Sequence, residues 1–217
     1  MKKFVVLFVL SLCCTSVYSQ KKKAVKKESS KVIATAGNLT AELVPVKDQF
    51  IFQVMVDKKD SLFTKKIDVK NNAKSPTMMN NNVPFDCKIV PFTAKGTLLY
   101  CITWSENLFT EVTDKKEDRT QYHTQIWNLA TKSLVLGNIQ TTTKITQILW
   151  LDKLKNASQT SEKMRNEGLA FTLTKEGDAV LKSKSQETKL SYNPQINKYD
   201  NLRPATAPAA AKPAKKK

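Results

Sequence analysis

The sequence predicts a mostly β protein: a single antiparallel β-sandwich or barrel-like domain, with one short surface helix and disordered termini. Three observations lead to this fold class. Apolar runs of strand length recur along the chain, polar turns separate them, and four of the five glycines lie at predicted turns or strand edges. The span 37–202 is long enough for one domain with its own hydrophobic core.

The predicted strands follow one another at short intervals, as antiparallel sheets require. They are Gly37–Val46, Phe50–Val56, Leu62–Val69, Phe85–Val90, Leu98–Trp104, Tyr122–Asn128, Ser133–Leu136, Thr141–Leu151, Leu169–Thr174 and Ala179–Lys184. The Asn-rich stretch Lys70–Asn82 predicts a long loop. The segment Ser158–Glu167 lacks the strand pattern, and Gly168 would stop a helix there, so we expect a short surface helix.

The N-terminus has the layout of a secretory signal peptide, which we place at residues 1–19. Two lysines precede the continuous apolar run Phe4–Leu12, and Val17 and Ser19 fit a cleavage site. The run is shorter than the roughly 20 residues that span a bilayer. An uncleaved anchor and a lipoprotein signal ending at Cys13 are the alternatives. We therefore expect an exported protein that is periplasmic, envelope-associated or secreted, with no transmembrane span after signal removal.

Positive charge concentrates at the two ends that flank the predicted domain. The chain has a net charge of +17, yet the body 32–202 carries 23 basic and 18 acidic residues. The ends are poor in large apolar side chains, so they cannot bury enough surface to offset the entropy of ordering. We predict a Lys-rich flexible segment at 20–36, the β-rich domain at 37–202, and a disordered Pro/Ala/Lys tail at 203–217.

The lysines of both ends are candidates for an electrostatic tether to anionic envelope polymers or lipid headgroups. The candidates are Lys21, Lys22, Lys23, Lys26, Lys27, Lys212, Lys215, Lys216 and Lys217. The alternative is that these ends only keep the protein soluble. Nucleic acid is disfavoured as a partner, because neither end contains an aromatic residue for base stacking and lysine far outnumbers arginine.

Cys87 and Cys101 are disulfide candidates, because the predicted signal places them in an oxidising compartment. They lie in two predicted strands on either side of the turn Thr93–Gly96. The two side chains face one another only if the loop has an odd number of residues, since a two- or four-residue loop points them to opposite faces of the hairpin. The alternative is a pair of buried thiols that pack as small apolar groups.

The sequence assigns no catalytic, cofactor-binding or metal site. His123 is the one histidine, and no nucleophile elbow, phosphate loop or zinc spacing accompanies it. The carboxylates between Trp104 and Tyr122 could form an acid–base or cation site, but interleaved basic residues favour a solvated charged loop. Three tryptophans, Trp104, Trp127 and Trp150, lie among aliphatic residues and indicate core packing rather than a sugar platform.

These observations favour an exported, non-catalytic binding or structural protein of the cell envelope, with Lys-rich ends that contact anionic polymers. A carboxylate-dependent enzyme acting on a glycan or similar polymer is the alternative. That enzyme would need two carboxylates facing one cleft at a separation of about 5 to 10 Å.

Overall fold

Thirteen strands in three antiparallel sheets make up the computed structural model, which describes residues 30–46, 49–68 and 82–201. The predicted mostly β, antiparallel fold class is therefore confirmed. The predicted signal peptide, the Lys-rich segment up to residue 29, most of the predicted long loop and the C-terminal tail lie outside the described residues.

The N-terminal sheet is a four-stranded meander in chain order. Its strands are β1 Lys31–Ala36, β2 Leu39–Val46, β3 Gln49–Val56 and β4 Asp60–Asp68. Strand β1 lies inside the segment 20–36 that we predicted to be flexible, and there the prediction is wrong. The apolar stretch within β1 explains the difference, because Ile33 and Ala34 pack against the hydrophobic core while β1 pairs with β2.

The central sheet is a five-stranded meander with much longer strands. Its strands are β5 Phe85–Ala94, β6 Thr97–Val112, β7 Lys115–Asn128, β8 Ser133–Trp150 and β9 Ser158–Glu167. A two-residue turn joins β5 to β6. Its residues Lys95 and Gly96 have φ values of 46° and 80°, which fit the right-handed twist of a tight hairpin.

The C-terminal sheet is a third, smaller meander. Its strands are β10 Ala170–Leu173, β11 Ala179–Lys182, β12 Glu187–Asn193 and β13 Lys198–Asn201. A polar network fastens this sheet to the β7–β8 turn. Asn128 Nδ2 donates to Asn197 Oδ1 at 2.8 Å, Tyr192 OH donates to the same oxygen at 2.8 Å, and Asn197 Nδ2 donates to Ser133 Oγ at 2.6 Å.

The other two sheets cover opposite faces of the central sheet, so the fold has three layers and two hydrophobic cores. Successive side chains of a strand point to opposite faces. On β6, Ile102 and Trp104 pack with the N-terminal sheet, whereas Leu99 and Cys101 pack with the C-terminal sheet. We call these the first core and the second core.

Part of the central sheet extends beyond both cores, and we call it the arm. It comprises Asn107–Val112 of β6, residues 115–120 of β7, residues 141–150 of β8, all of β9 and the connecting turns. Among the described residues, none of the arm belongs to either hydrophobic core.

The predicted helix at Ser158–Glu167 is wrong, because this segment is strand β9 and pairs along its whole length with residues 141–150 of β8. The segment forms a strand rather than a helix because pairing with β8 satisfies N–H and C=O groups that β8 would otherwise leave unpaired at the sheet edge. Both faces of β9 contact solvent, so its sequence carries no apolar alternation, and Met164 is 65% exposed. The two predicted strands at 133–136 and 141–151 are likewise one continuous strand, β8.

Gly177 and Gly96 form a matched pair that tests the packing of the C-terminal sheet on β5. Both glycines have positive φ, 83° and 80°, but a Cβ at Gly177 would lie 2.7 Å from Ala94 Cβ while one at Gly96 would meet nothing within 4 Å. We expect Gly96→Ala to lower the free energy of unfolding by about 1 to 2 kcal/mol through backbone strain alone. Gly177→Ala should cost at least about 2 kcal/mol more, because it adds overpacking.

Urea denaturation of the two variants measures this difference. Equal losses of stability in Gly177→Ala and Gly96→Ala would show that the turn before β11 does not press against β5.

Candidate functional site

The predicted group of carboxylates between Trp104 and Tyr122 is divided between two places. Glu106 lies in the covered part of β6, whereas Glu111, Asp114, Glu117 and Asp118 lie on the arm. These four belong to strands β6 and β7 and their connecting turn, not to the charged loop that we expected. No group of three or more potential metal ligands occurs in the part of the chain that the structure describes.

Glu106 pairs across the first core with Lys65, whose side chain is 37% exposed, so the buried member of the pair is Glu106. Its side chain is 3% exposed, and Lys65 Nζ donates to its two carboxylate oxygens at 2.5 and 2.7 Å. Trp104 Nε1 donates to Oε1 at 2.7 Å. Because a buried carboxylate is costly unless it is paired and hydrogen-bonded, these contacts hold β4 of the N-terminal sheet over β6 of the central sheet.

His123 completes this polar cluster from the neighbouring strand β7. Its ring stacks on Trp104 with centroids 4.8 Å apart and planes within 1°, and its Nε2 lies 3.6 Å from Glu106 Oε1. Burial lowers the pKa of His123, Glu106 opposes that shift, and the positive charge of Lys65 adds to it. The neutral imidazole is therefore a packing group between aromatic and charged neighbours.

The geometry of this cluster offers little for catalysis. Lys65 and Trp104 donate to the carboxylate of Glu106, and the Nε2 atom of His123 is buried without a hydrogen-bond partner. A general base needs hydrogen-bond reach to a proton on a bound substrate. The polar groups here face one another between two sheets.

A cleft of about 380 Å³ lies on the opposite face of the same strands, next to the C-terminal sheet. Its lining includes Asp86, Lys88, Ser105, Tyr122, Gln140 and Phe171. Trp104 and His123 also border it, but strand alternation directs their side chains to the first core. The cleft is thus polar with two aromatic rings, and Asp86 is the one carboxylate among its lining residues.

Two carboxylates of the arm, Glu111 and Glu117, are paired with neighbouring cations. Glu117 accepts from Lys115 at 2.6 Å and from Arg119 at 2.7 Å, and these hydrogen bonds lower the pKa of Glu117. Lys116 pairs with Glu111 at 2.9 Å. Interleaved basic residues therefore neutralise Glu111 and Glu117 on these strands, as the sequence indicated.

The predicted disulfide between Cys87 and Cys101 does not form, because both thiols are free. The two-residue turn places Val90, rather than Cys87, opposite Cys101. Cys87 packs against the first core and Cys101 lies in the second core, so the central sheet separates them. Burial raises the pKa of each thiol to about 12, which is typical of inert packing cysteines.

The three tryptophans have different environments. Trp104 and Trp127 are buried in the first core, as the sequence predicted. Trp150 lies at the end of the arm and is 39% exposed, so the prediction of core packing is wrong for this residue. Trp150 occupies the last position of β8, where neither covering sheet reaches.

The nine lysines predicted as an electrostatic tether lie outside the described residues. Comparisons with family models, curated proteins and solved structures give no match to this chain. In the described ranges, no helix has the length and apolar character needed to cross a bilayer.

The lowered pKa of His123 predicts a pH dependence of stability. The unfolded chain takes up a proton near the ordinary value of 6.5, whereas the folded chain does so only at lower pH. Acidification from about pH 7 to about pH 5 should therefore lower the free energy of unfolding. The chain has one histidine, so the variant His123→Phe, which keeps an aromatic ring beside Trp104, should lose this slope.

Denaturant titrations of both proteins across that pH range measure the slope. The same pH dependence in His123→Phe and in the unmodified chain would contradict the assignment of the slope to this imidazole.

Proposed function

We propose that the chain is an exported, non-catalytic binding or structural protein of the cell envelope, attached through its Lys-rich ends to anionic polymers or lipid headgroups. The observation that carries the non-catalytic role is the position of the Lys65, Glu106 and His123 side chains. Lys65 and Trp104 both donate to Glu106, which is almost fully buried, and the His123 ring stacks on Trp104 with its Nε2 3.6 Å from Glu106.

The distribution of charge supports the tether. Many charged side chains of the folded domain pair across neighbouring strands, as Lys116 and Glu111 or Lys144 and Glu162 do. The chain nevertheless has a net charge of +17, and its unbalanced lysines lie mainly at 20–31 and 212–217. A run of lysines near an anionic surface binds additively and loses affinity as salt screens it.

Replacing the nine tether lysines by glutamine should therefore strongly weaken salt-sensitive binding. We expect the affinity for vesicles of equal parts phosphatidylglycerol and phosphatidylcholine to fall by at least about a hundredfold at low salt. Co-sedimentation across a salt titration measures this loss. The ends keep their length in this variant, so the change tests charge alone.

A matched control removes the same charge from the folded domain. It replaces nine exposed lysines by glutamine: Lys58, Lys59, Lys66, Lys88, Lys95, Lys163, Lys175, Lys184 and Lys198. This control should retain most of the binding. An equal loss in both variants would indicate nonspecific attraction by net charge and would refute a tether located at the ends.

A carboxylate-dependent enzyme acting on a glycan is the second candidate, and the polar cleft is the observation that favours it. Asp86 lies there with Tyr122 and Phe171, and aromatic rings beside polar groups suit a sugar. Hydrolysis of a glycosidic bond ordinarily uses two carboxylates, and the lining residues supply one. Release of reducing ends from a cell-wall glycan, lost in Asp86→Asn, would favour the enzyme over the binding role.

A further inference from the structure

The end of the arm carries a cluster of exposed apolar side chains, which we call the tip. The tip consists of Val112, Leu149, Trp150, Leu151 and Leu154. Leu151 is 66% exposed and Leu154 is 81% exposed, although both are large aliphatic residues. Soluble proteins rarely expose such residues in one contiguous patch unless the patch contacts a partner or a membrane.

Backbone and side-chain contacts bring the members of the tip together. Val112 precedes the β6–β7 turn, and Ile148 N donates to Asp114 O of that turn at 2.8 Å. Trp150 Nε1 donates to Asp114 Oδ1 at 3.1 Å. The loop after Trp150 folds back on itself, since Leu151 N donates to Ala157 O at 2.9 Å. The apolar side chains thus share one end of the sheet.

Polar groups of the tip have the arrangement of a membrane interface. Lys155 Nζ lies 5.2 Å from the centroid of the Trp150 ring, and Lys153 follows Leu151 by two residues. Indole rings and lysine stems place an apolar body in lipid and a polar end at the headgroups. The loop 151–157 has two lysines and one aspartate, so its net positive charge is complementary to an anionic lipid surface.

We propose that the tip inserts into the interfacial layer of an anionic lipid bilayer. Leu151 and Leu154 enter the boundary of the acyl chains, Trp150 lies at the headgroup level, and Lys153 and Lys155 contact lipid phosphates. This inference rests on the proposed envelope role, because it requires that the protein meets an anionic lipid surface. It adds a second contact, made by the folded domain, to the tether made by the ends.

Trp150 fluorescence in the full chain tests the insertion directly. Trp104 and Trp127 are buried, so Trp150 is the one exposed tryptophan of the three and should dominate any change in emission. We expect a blue shift on adding vesicles of equal parts phosphatidylglycerol and phosphatidylcholine, and quenching when the lipids are brominated on their acyl chains. Both signals should vanish in Trp150→Phe.

Two leucine variants assign the binding to the tip. We expect Leu151→Ser with Leu154→Ser to weaken vesicle binding by on the order of tenfold, because it removes two inserted side chains. Both residues are exposed, so thermal unfolding should be unchanged. The matched control is Leu98→Ser, which alters a leucine that is 53% exposed at the opposite end of β6, about 45 Å from the tip. This control should bind as the unmodified chain does.

The variant with glutamine at the nine tether lysines separates this inference from the proposed function. A blue shift that persists in that variant at higher lipid concentration supports the tip independently of the ends. Salt-sensitive binding of the unmodified chain without quenching of Trp150 overturns the tip and leaves the tether standing. A blue shift of Trp150 that appears on self-association without lipid would identify a second copy as the occupant of the tip. That result would also overturn the proposal.

Discussion

The alternation of side chains on β6 is the constraint on which the fold depends. Ile102 and Trp104 belong to the first core, while Leu99 and Cys101 face the second core. A shift of register by one residue would exchange the two sets and place each in the wrong layer. The two-residue turn at Lys95 and Gly96 fixes this register on one side, and β7 fixes it on the other. The C-terminal sheet and the N-terminal sheet can then pack independently on the two faces.

The Lys65–Glu106 charge pair lies where the covered part of β6 gives way to the arm. Lys65 reaches Glu106 from β4, and His123 and Trp104 close the cluster. Removal of Lys65 would leave the Glu106 carboxylate buried without its charge partner. The same packing explains why the side chain of His123 is only 11% exposed.

The local pattern of the sequence predicts the hairpins well, because alternating apolar residues and turn residues determine them over a short range. It could not predict the free thiols, since the outcome depends on whether the hairpin is centred on Ala94, which would set Cys87 opposite Cys101, or between Lys95 and Gly96, as it is. It missed β9 because that strand has solvent on both faces and therefore no apolar alternation. It also missed the exposure of Trp150. A strand that extends beyond the two covering sheets has the same apolar composition as a buried strand.

The candidate site was predictable only in part. The sequence singled out His123 and the carboxylates near it, but pairing across sheets decides which of them is buried, and Lys65 lies 41 residues from Glu106. The polar cleft has no local signal, because its lining comes from the central sheet and from Phe171 of β10. The tip had one signal, the apolar run that ends at Leu151, which the sequence alone assigns to a core strand.

Native-state hydrogen exchange along β7 tests the central claim most directly, which is that the two cores stabilise one part of the central sheet and leave the arm outside. Strand β7 pairs with both β6 and β8 at each end, and its register against β8 shifts once, between Ile126 and Trp127. We predict that the amides of Gln125–Trp127 exchange only through global unfolding. Those at 116–120 should exchange on the order of a hundredfold faster through local opening. Equal protection at both ends of β7 would contradict the account.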